Sequence, residues 1–143
     1  LERDVIGLYG GVAAEELFYG PRGISVGSQN DIEKITKMLN LMVGRLSMYS
    51  RSKLDYSQLQ KDMGGEHTLR LVEEKADELY SYTLNAIRDY KLVIESLKDT
   101  LMEEYVLSKD AVFALLEERS ELIHSQLHGR RANLKLCVEE VVA

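Results

Sequence analysis

From Leu69 to Leu101 the chain repeats apolar residues at steps of three or four. They are Leu69, Val72, Ala76, Leu79, Ile87 and Tyr90, with Thr83 on the same face, followed by Ile94, Leu97 and Leu101. Such spacing gathers side chains on one face of an α-helix and on no face of a strand. A stripe of this length allows two solutions. One is a single coiled-coil-like helix. The other is a pair of antiparallel helices with a break near "RDYK" (88–91).

The rest of the chain follows the same period. A first helix is expected from about Asp4 to Phe18, with Val5, Leu8, Val12, Ala13, Glu16 and Leu17 on one side. Gly7, Gly10 and Gly11 each cost such a helix about 1 kcal/mol against alanine. Their expected justification is close approach of another backbone. The only proline, Pro21, lies in "YGPRG" and ends this helix. A second helix is expected from Asn30 or Asp31 to about Met48, with Ile32, Ile35, Leu39, Met42, Val43 and Leu46 as its apolar stripe. Residues 49–65 read as a loop with at most one helical turn, ending in a glycine pair. Ser108 is a good N-cap for a last helix through Val112, Leu115, Leu116, Leu122 and Ile123, closed by Gly129 and the Arg130–Arg131 pair. The tail from Ala132 is open between a short strand and a helical turn. The expected fold is an all-α compact bundle of about five helices. The expected division is a helical portion over 1–120, with the end of the last helix and a tail over 121–143.

Composition narrows the function classes. With 45% apolar residues, the 143-residue chain can bury a core of its own. A formal charge of −6 argues against nucleic acid, which demands a basic stripe. A single cysteine, Cys137, excludes an internal disulfide and any multi-thiolate zinc site. It reads as an inert thiol in a reducing compartment. No apolar run approaches the roughly 20 residues of a membrane span, and no signal-peptide pattern is present. The chain opens on "LERD", already helical in pattern, as an excised piece of a longer polypeptide would.

Few residues are placed for chemistry. His124 and His128, spaced i, i+4, share a helix face as zinc-binding histidines do. Ser125 stands where a general-base glutamate would be needed, so two surface histidines near a helix end are the favoured reading. His67, beside Glu66, reads as a helix-start residue. Glu15 and Glu16 point about 100° apart on a helix and are not expected to share a task. Glu16 falls near the apolar face and needs a partner if buried. Asp31 lies at the mouth of the second helix in "SQND". There Ser28 and Asp31 approximate a capping box, or Asn30 caps with Glu33 reciprocating. The helix dipole keeps Asp31 ionised in either register. A cap and a metal arm both remain open on these residues alone.

Two blocks together carry a resemblance. "GGVAAEELFYG" (10–20) is similar to a GGRxAEE-x-x-FG stretch, and "SVGSQNDIEKITKMLNLMVGRLSMYS" (25–50) to a T-x-G-A-S-N-D-I helix followed by MV-T-x-x-G-M-S. Both stretches belong to the peptidase domain of the FtsH-type membrane-bound AAA+ zinc metalloproteases. "SLKDTLMEEYVLSKDAVFALLEE" (96–118) resembles the closing helices of that domain. The resemblance implies that Asp31 is the third zinc ligand, beside two histidines of an H-E-x-x-H helix whose glutamate is the general base. It leaves Glu16 and Asn30 as residues that would support that ligand from behind. It also implies an ATPase ring, hexameric in the family, that feeds membrane or misfolded proteins to the peptidase. ATP would act only through that upstream domain, and the membrane only through an upstream anchor. The parent's peptidase part would face the cytoplasm or an organelle lumen such as matrix or stroma.

This chain contains neither H-E-x-x-H nor a G-x-x-x-x-G-K-[ST] phosphate loop. By itself it is expected to have no protease activity and no catalytic residue. It also departs from the family pattern. Val12 stands for the usual Arg, Gln29 for Ser and Ser47 for Gly, the loop after Tyr49 is shorter, and Tyr105–Val106 replace Glu–Thr. The alternative is therefore a non-catalytic, degenerate homologue that acts as a helical assembly or interaction module.

Overall fold

The computed structural model describes residues 1–59 and 61–124. Five α-helices follow in order: α1 (Glu2–Tyr19), α2 (Gln29–Asn40), α3 (Lys61–Asp89), α4 (Lys91–Glu104) and α5 (Lys109–His124). Among the described residues there is no strand. The fold is all-α, as the apolar spacing predicts. The chain divides into two compact units, Leu1–Asn85 and Ala86–Ala143.

The first unit holds the main core. Val5 of α1, Ile35 and Leu39 of α2, Met42 just beyond it and Leu79 of α3 form one buried cluster. Ile6, Leu8, Tyr9, Val72 and Ala76 pack against it. Each fully buried side chain of this size contributes about 1.5–3 kcal/mol relative to exposure. Thr83 is buried too, and its hydroxyl donates to the Leu79 carbonyl at 2.7 Å, which satisfies it without a partner from outside the helix.

Helix α1 stops at Tyr19 because the chain turns sharply there. Gly20 has φ 84°, and its N–H closes the helix on the Glu16 carbonyl at 2.8 Å. Gly23 follows so close to Tyr19 that a Cβ would fall 2.3 Å from that residue's Cβ. The glycines inside α1 are a different matter. A Cβ at Gly7, Gly10 or Gly11 meets nothing within 4 Å. The expected close backbone approach is absent at all three, because the core forms along Val5, Val12 and Ala13 instead.

Helix α2 does not continue regularly to Met48. After Asn40 the backbone widens into a π-turn over Leu41–Arg45, with the Leu46 N–H reaching the Leu41 carbonyl at 2.9 Å. The wider turn buries three consecutive residues, Met42, Val43 and Gly44, where a regular helix would swing one of them outward. Ser47 then takes φ 49° and ends the segment. The Lys53 ammonium donates to the Ser47 carbonyl at 3.1 Å. Of the expected loop over 49–65, residues 49–59 hold one 3₁₀ turn, Tyr56–Gln58. Its last part is already helix, since α3 starts at Lys61 and runs through the glycine pair.

The long stripe resolves as two helices. The break falls at Tyr90, with φ −103° and ψ 15°, inside the "RDYK" segment. In the second unit α4 ends on Tyr105 at φ 62°. Ser108 caps α5, its hydroxyl accepting the Ala111 N–H at 3.2 Å. Val93 is the buried apolar residue of α4. Gly129, the Arg130–Arg131 pair and the tail from Ala132 lie outside the described residues.

Candidate functional site

The site is built around the turn that leads from α1 into α2. Glu15, near the end of α1, reaches across this turn. Its carboxylate accepts the Ser25 N–H at 2.7 Å, the Ser25 hydroxyl at 2.8 Å and the Ser28 hydroxyl at 3.0 Å. Those three bonds, the Ser25 backbone bond first, hold the Glu15 carboxyl below the usual glutamate range. The Ser25 hydroxyl also accepts the Gly27 N–H at 3.2 Å and so caps the 3₁₀ turn Val26–Ser28. Glu15 thereby sets where α2 begins.

The capping box anticipated at Asp31 does not form. Ser28 occupies the N-cap, but its side chain makes no cap bond to the helix. Its hydroxyl is engaged by Glu15, and the residue is buried. Asn30 lies within the first turn rather than before it, and is exposed. Glu33 accepts the Gln29 side-chain amide at 3.1 Å instead of reaching back to a cap. Asp31 stands in the first turn of α2, half exposed, where the helix dipole favours its charge. Its Oδ1 lies 3.3 Å from the Lys34 ammonium. A carboxylate so placed is open to one side and of the hard-oxygen kind that zinc accepts. It fits a single ligand position. Among the described residues, no group of three His, Cys, Asp or Glu side chains could hold a metal.

Glu16 points away from this turn, as the 100° step requires. It is half buried and accepts the Tyr80 hydroxyl from α3. Burial, and then that bond, push the Tyr80 phenol well above its usual range. Tyr80 also meets the Tyr9 ring edge-on, with centroids 5.1 Å apart. Glu16 thus has the partner its position demanded, and the two adjacent glutamates do separate work. Glu15 is the residue that sequence reasoning passed over. The available signal was the pair of serines just before the α2 start, ten and thirteen residues on.

His67 is exposed, and its ring lies 5.7 Å from that of Tyr56. His124 is the last residue of α5, while His128 and Cys137 lie outside the described residues.

Comparison with known proteins decides the family. A model of peptidase family M41 matches residues 1–115. The chain belongs to peptidase family M41. Among similar proteins is an "ATP-dependent zinc metalloprotease FtsH" of Mesomycoplasma conjunctivae, 30% identical over 93% of this chain and 20% of that protein. The mitochondrial "ATP-dependent zinc metalloprotease FTSH 3" of Arabidopsis thaliana is 31% identical over 77% of this chain and 15% of its own length. The "ATP-dependent zinc metalloprotease YME1 homolog" of Schizosaccharomyces pombe is 28% identical over 82% and 17%. This M41 chain therefore spans about a fifth or less of these relatives. No solved structure matches it. No helix among the described residues is long and apolar enough to cross a membrane.

Proposed function

We propose that this M41 chain is part of the proteolytic domain of an ATP-dependent zinc metalloprotease acting on membrane or misfolded proteins, in which Asp31 supplies one oxygen ligand to zinc. The observation that carries the reading is the position of Asp31. It stands in the first turn of α2, in the block "SQNDI", after a turn pinned by Glu15. Zinc, when bound, supplies Lewis acidity and a lowered pKa for water at neutral pH. The chain's own contribution is to hold the carboxylate in place. Glu15 orients the Ser25–Ser28 turn, and Lys34 draws Oδ1 to one side. Glu16 supports the arrangement from behind by tying α1 to α3 through Tyr80. Asn30 is exposed beside Asp31 and is available to it. Histidine ligands, general base, ATPase ring and hexameric assembly belong to the proposal for the longer parent, as do its membrane anchor and its cytoplasmic, matrix or stromal setting.

The Asp31–Lys34 pair favours a second reading, in which Asp31 is a surface ion pair of a non-catalytic helical module. The two are separated in the full-length protein carrying this sequence. Under the protease reading, Asp31→Asn lowers bound zinc, measured by elemental analysis, to a small fraction of wild type. The isolated chain loses little stability, because a helical i, i+3 pair is worth only about 0.2–0.5 kcal/mol. Unchanged zinc content and unchanged proteolysis in that variant would sink the ligand assignment.

A further inference from the structure

Three carboxylates stand around the start of α2, and each has its own partner. Glu15 accepts from Ser25 and Ser28, and Glu33 accepts the Gln29 side-chain amide at 3.1 Å. Asp31 takes the Lys34 ammonium, which donates to Oδ1 at 3.3 Å from one helical turn further on. Its Oδ2 accepts no hydrogen bond from any described residue. The two oxygens of this carboxylate are therefore unlike, one engaged by a cation and the other open.

That difference matters for a metal ligand. An unrestrained aspartate rotates about its side-chain bonds and offers a metal either oxygen or both. A donor fixed on one oxygen removes part of that freedom, and hydrogen-bond partners of a ligating group contribute about 10–100-fold to metal affinity. The charge of the donor acts in the opposite direction, since it repels a second cation. The Lys34 side chain is 52% exposed and that of Asp31 39%. Water and salt weaken a repulsion at such a place, while the hydrogen bond keeps its direction.

We infer that Lys34 is a positioning residue for the metal site: by holding Oδ1 it presents Oδ2 of Asp31 as the single oxygen given to zinc, and this orientation outweighs the repulsion. The inference rests on the reading of Asp31 as a zinc ligand. It gives the Asp31–Lys34 pair a task in that reading, where a bare surface ion pair has none.

The test uses the full-length protein carrying this sequence and reads zinc affinity by competition with a chromogenic chelator. Lys34→Met keeps the helix propensity of lysine, and circular dichroism checks the fold of every variant. Loss of the donor is expected to weaken zinc binding about tenfold. Lys34→Arg, whose guanidinium also donates to a carboxylate, recovers most of the affinity. With cobalt in place of zinc, the visible spectrum of Lys34→Met shifts towards a higher coordination number as the released Oδ1 joins the metal, whereas Lys34→Arg keeps the wild-type spectrum. In an Asp31→Asn background, Lys34→Met adds no further loss. Unchanged or tighter zinc binding in Lys34→Met, beside a loss in Asp31→Asn, overturns this inference and leaves the ligand reading standing. Unchanged zinc in Asp31→Asn overturns the ligand reading and this inference with it.

Discussion

Ser47 combines two unfavourable features in one residue. Its φ of 49° lies in the left-handed region, where a side chain costs about 1 kcal/mol or more. Its hydroxyl is buried and finds no hydrogen-bond partner among the described residues, a loss of about 1–3 kcal/mol. Glycine, the residue this position resembles in the family pattern, removes both. Against this stands the extra backbone freedom that glycine loses on folding, about 0.5–1 kcal/mol. Ser47→Gly is therefore expected to stabilise the chain by about 1 kcal/mol, seen as a higher midpoint in urea with an unchanged slope. A lower midpoint would show that the Ser47 hydroxyl is in fact satisfied.

Among the elements, α1 and the turn after it respond to pH through Glu15. A glutamate whose folded pKa is lowered stabilises the fold above its unfolded value. That contribution is lost as pH falls through the folded value. The ordinary value is 4.5, and three donors hold Glu15 below it. The melting temperature of wild type should exceed that of Glu15→Gln at neutral pH, and the gap should close as pH falls below about 4.5. A gap that persists unchanged under strong acid would remove charge from the account of this turn.

The glycines of the same stretch respond in opposite directions. Gly7→Ala and Gly11→Ala fill open space on a helix and are expected to raise stability by up to about 1 kcal/mol each. Gly23→Ala drives a methyl group into Tyr19, with backbone atoms at 2.8 and 2.9 Å. It should cost about 1–3 kcal/mol. Chemical denaturation of the three variants checks the signs. None of this contrast is written in the residue type, since a glycine is a glycine in all three places.

At the scale of the whole molecule, the buried apolar cluster among the described residues lies where α1, α2 and α3 meet. Leu39 is 2% exposed in the middle of that cluster. Leu39→Ala is expected to cost about 2–5 kcal/mol. Leu101→Ala, at a residue 46% exposed, should remain within about 0.5 kcal/mol. Equal effects in equilibrium unfolding would place the core elsewhere.

Much of this arrangement is legible in residue order. The three-four spacing yields the existence of the helices, Pro21 and its glycines the end of α1, and Ser108 the cap of α5, while "RDYK" is the break in only one of the two solutions that the long stripe allows. Those features act within one or two turns of the backbone, so local sequence determines them. The blocks around Glu16 and Asp31 likewise carry the family. What residue order could not decide is which partner each polar group takes. Ser28 turns from its expected cap to Glu15, Glu16 meets Tyr80 sixty-four residues away, and α2 widens into a π-turn to bury Met42, Val43 and Gly44 together. Each outcome depends on a segment brought close only by the folded chain. A hydrogen bond or a buried face is won by the nearest competitor in space, and the tertiary structure alone names it.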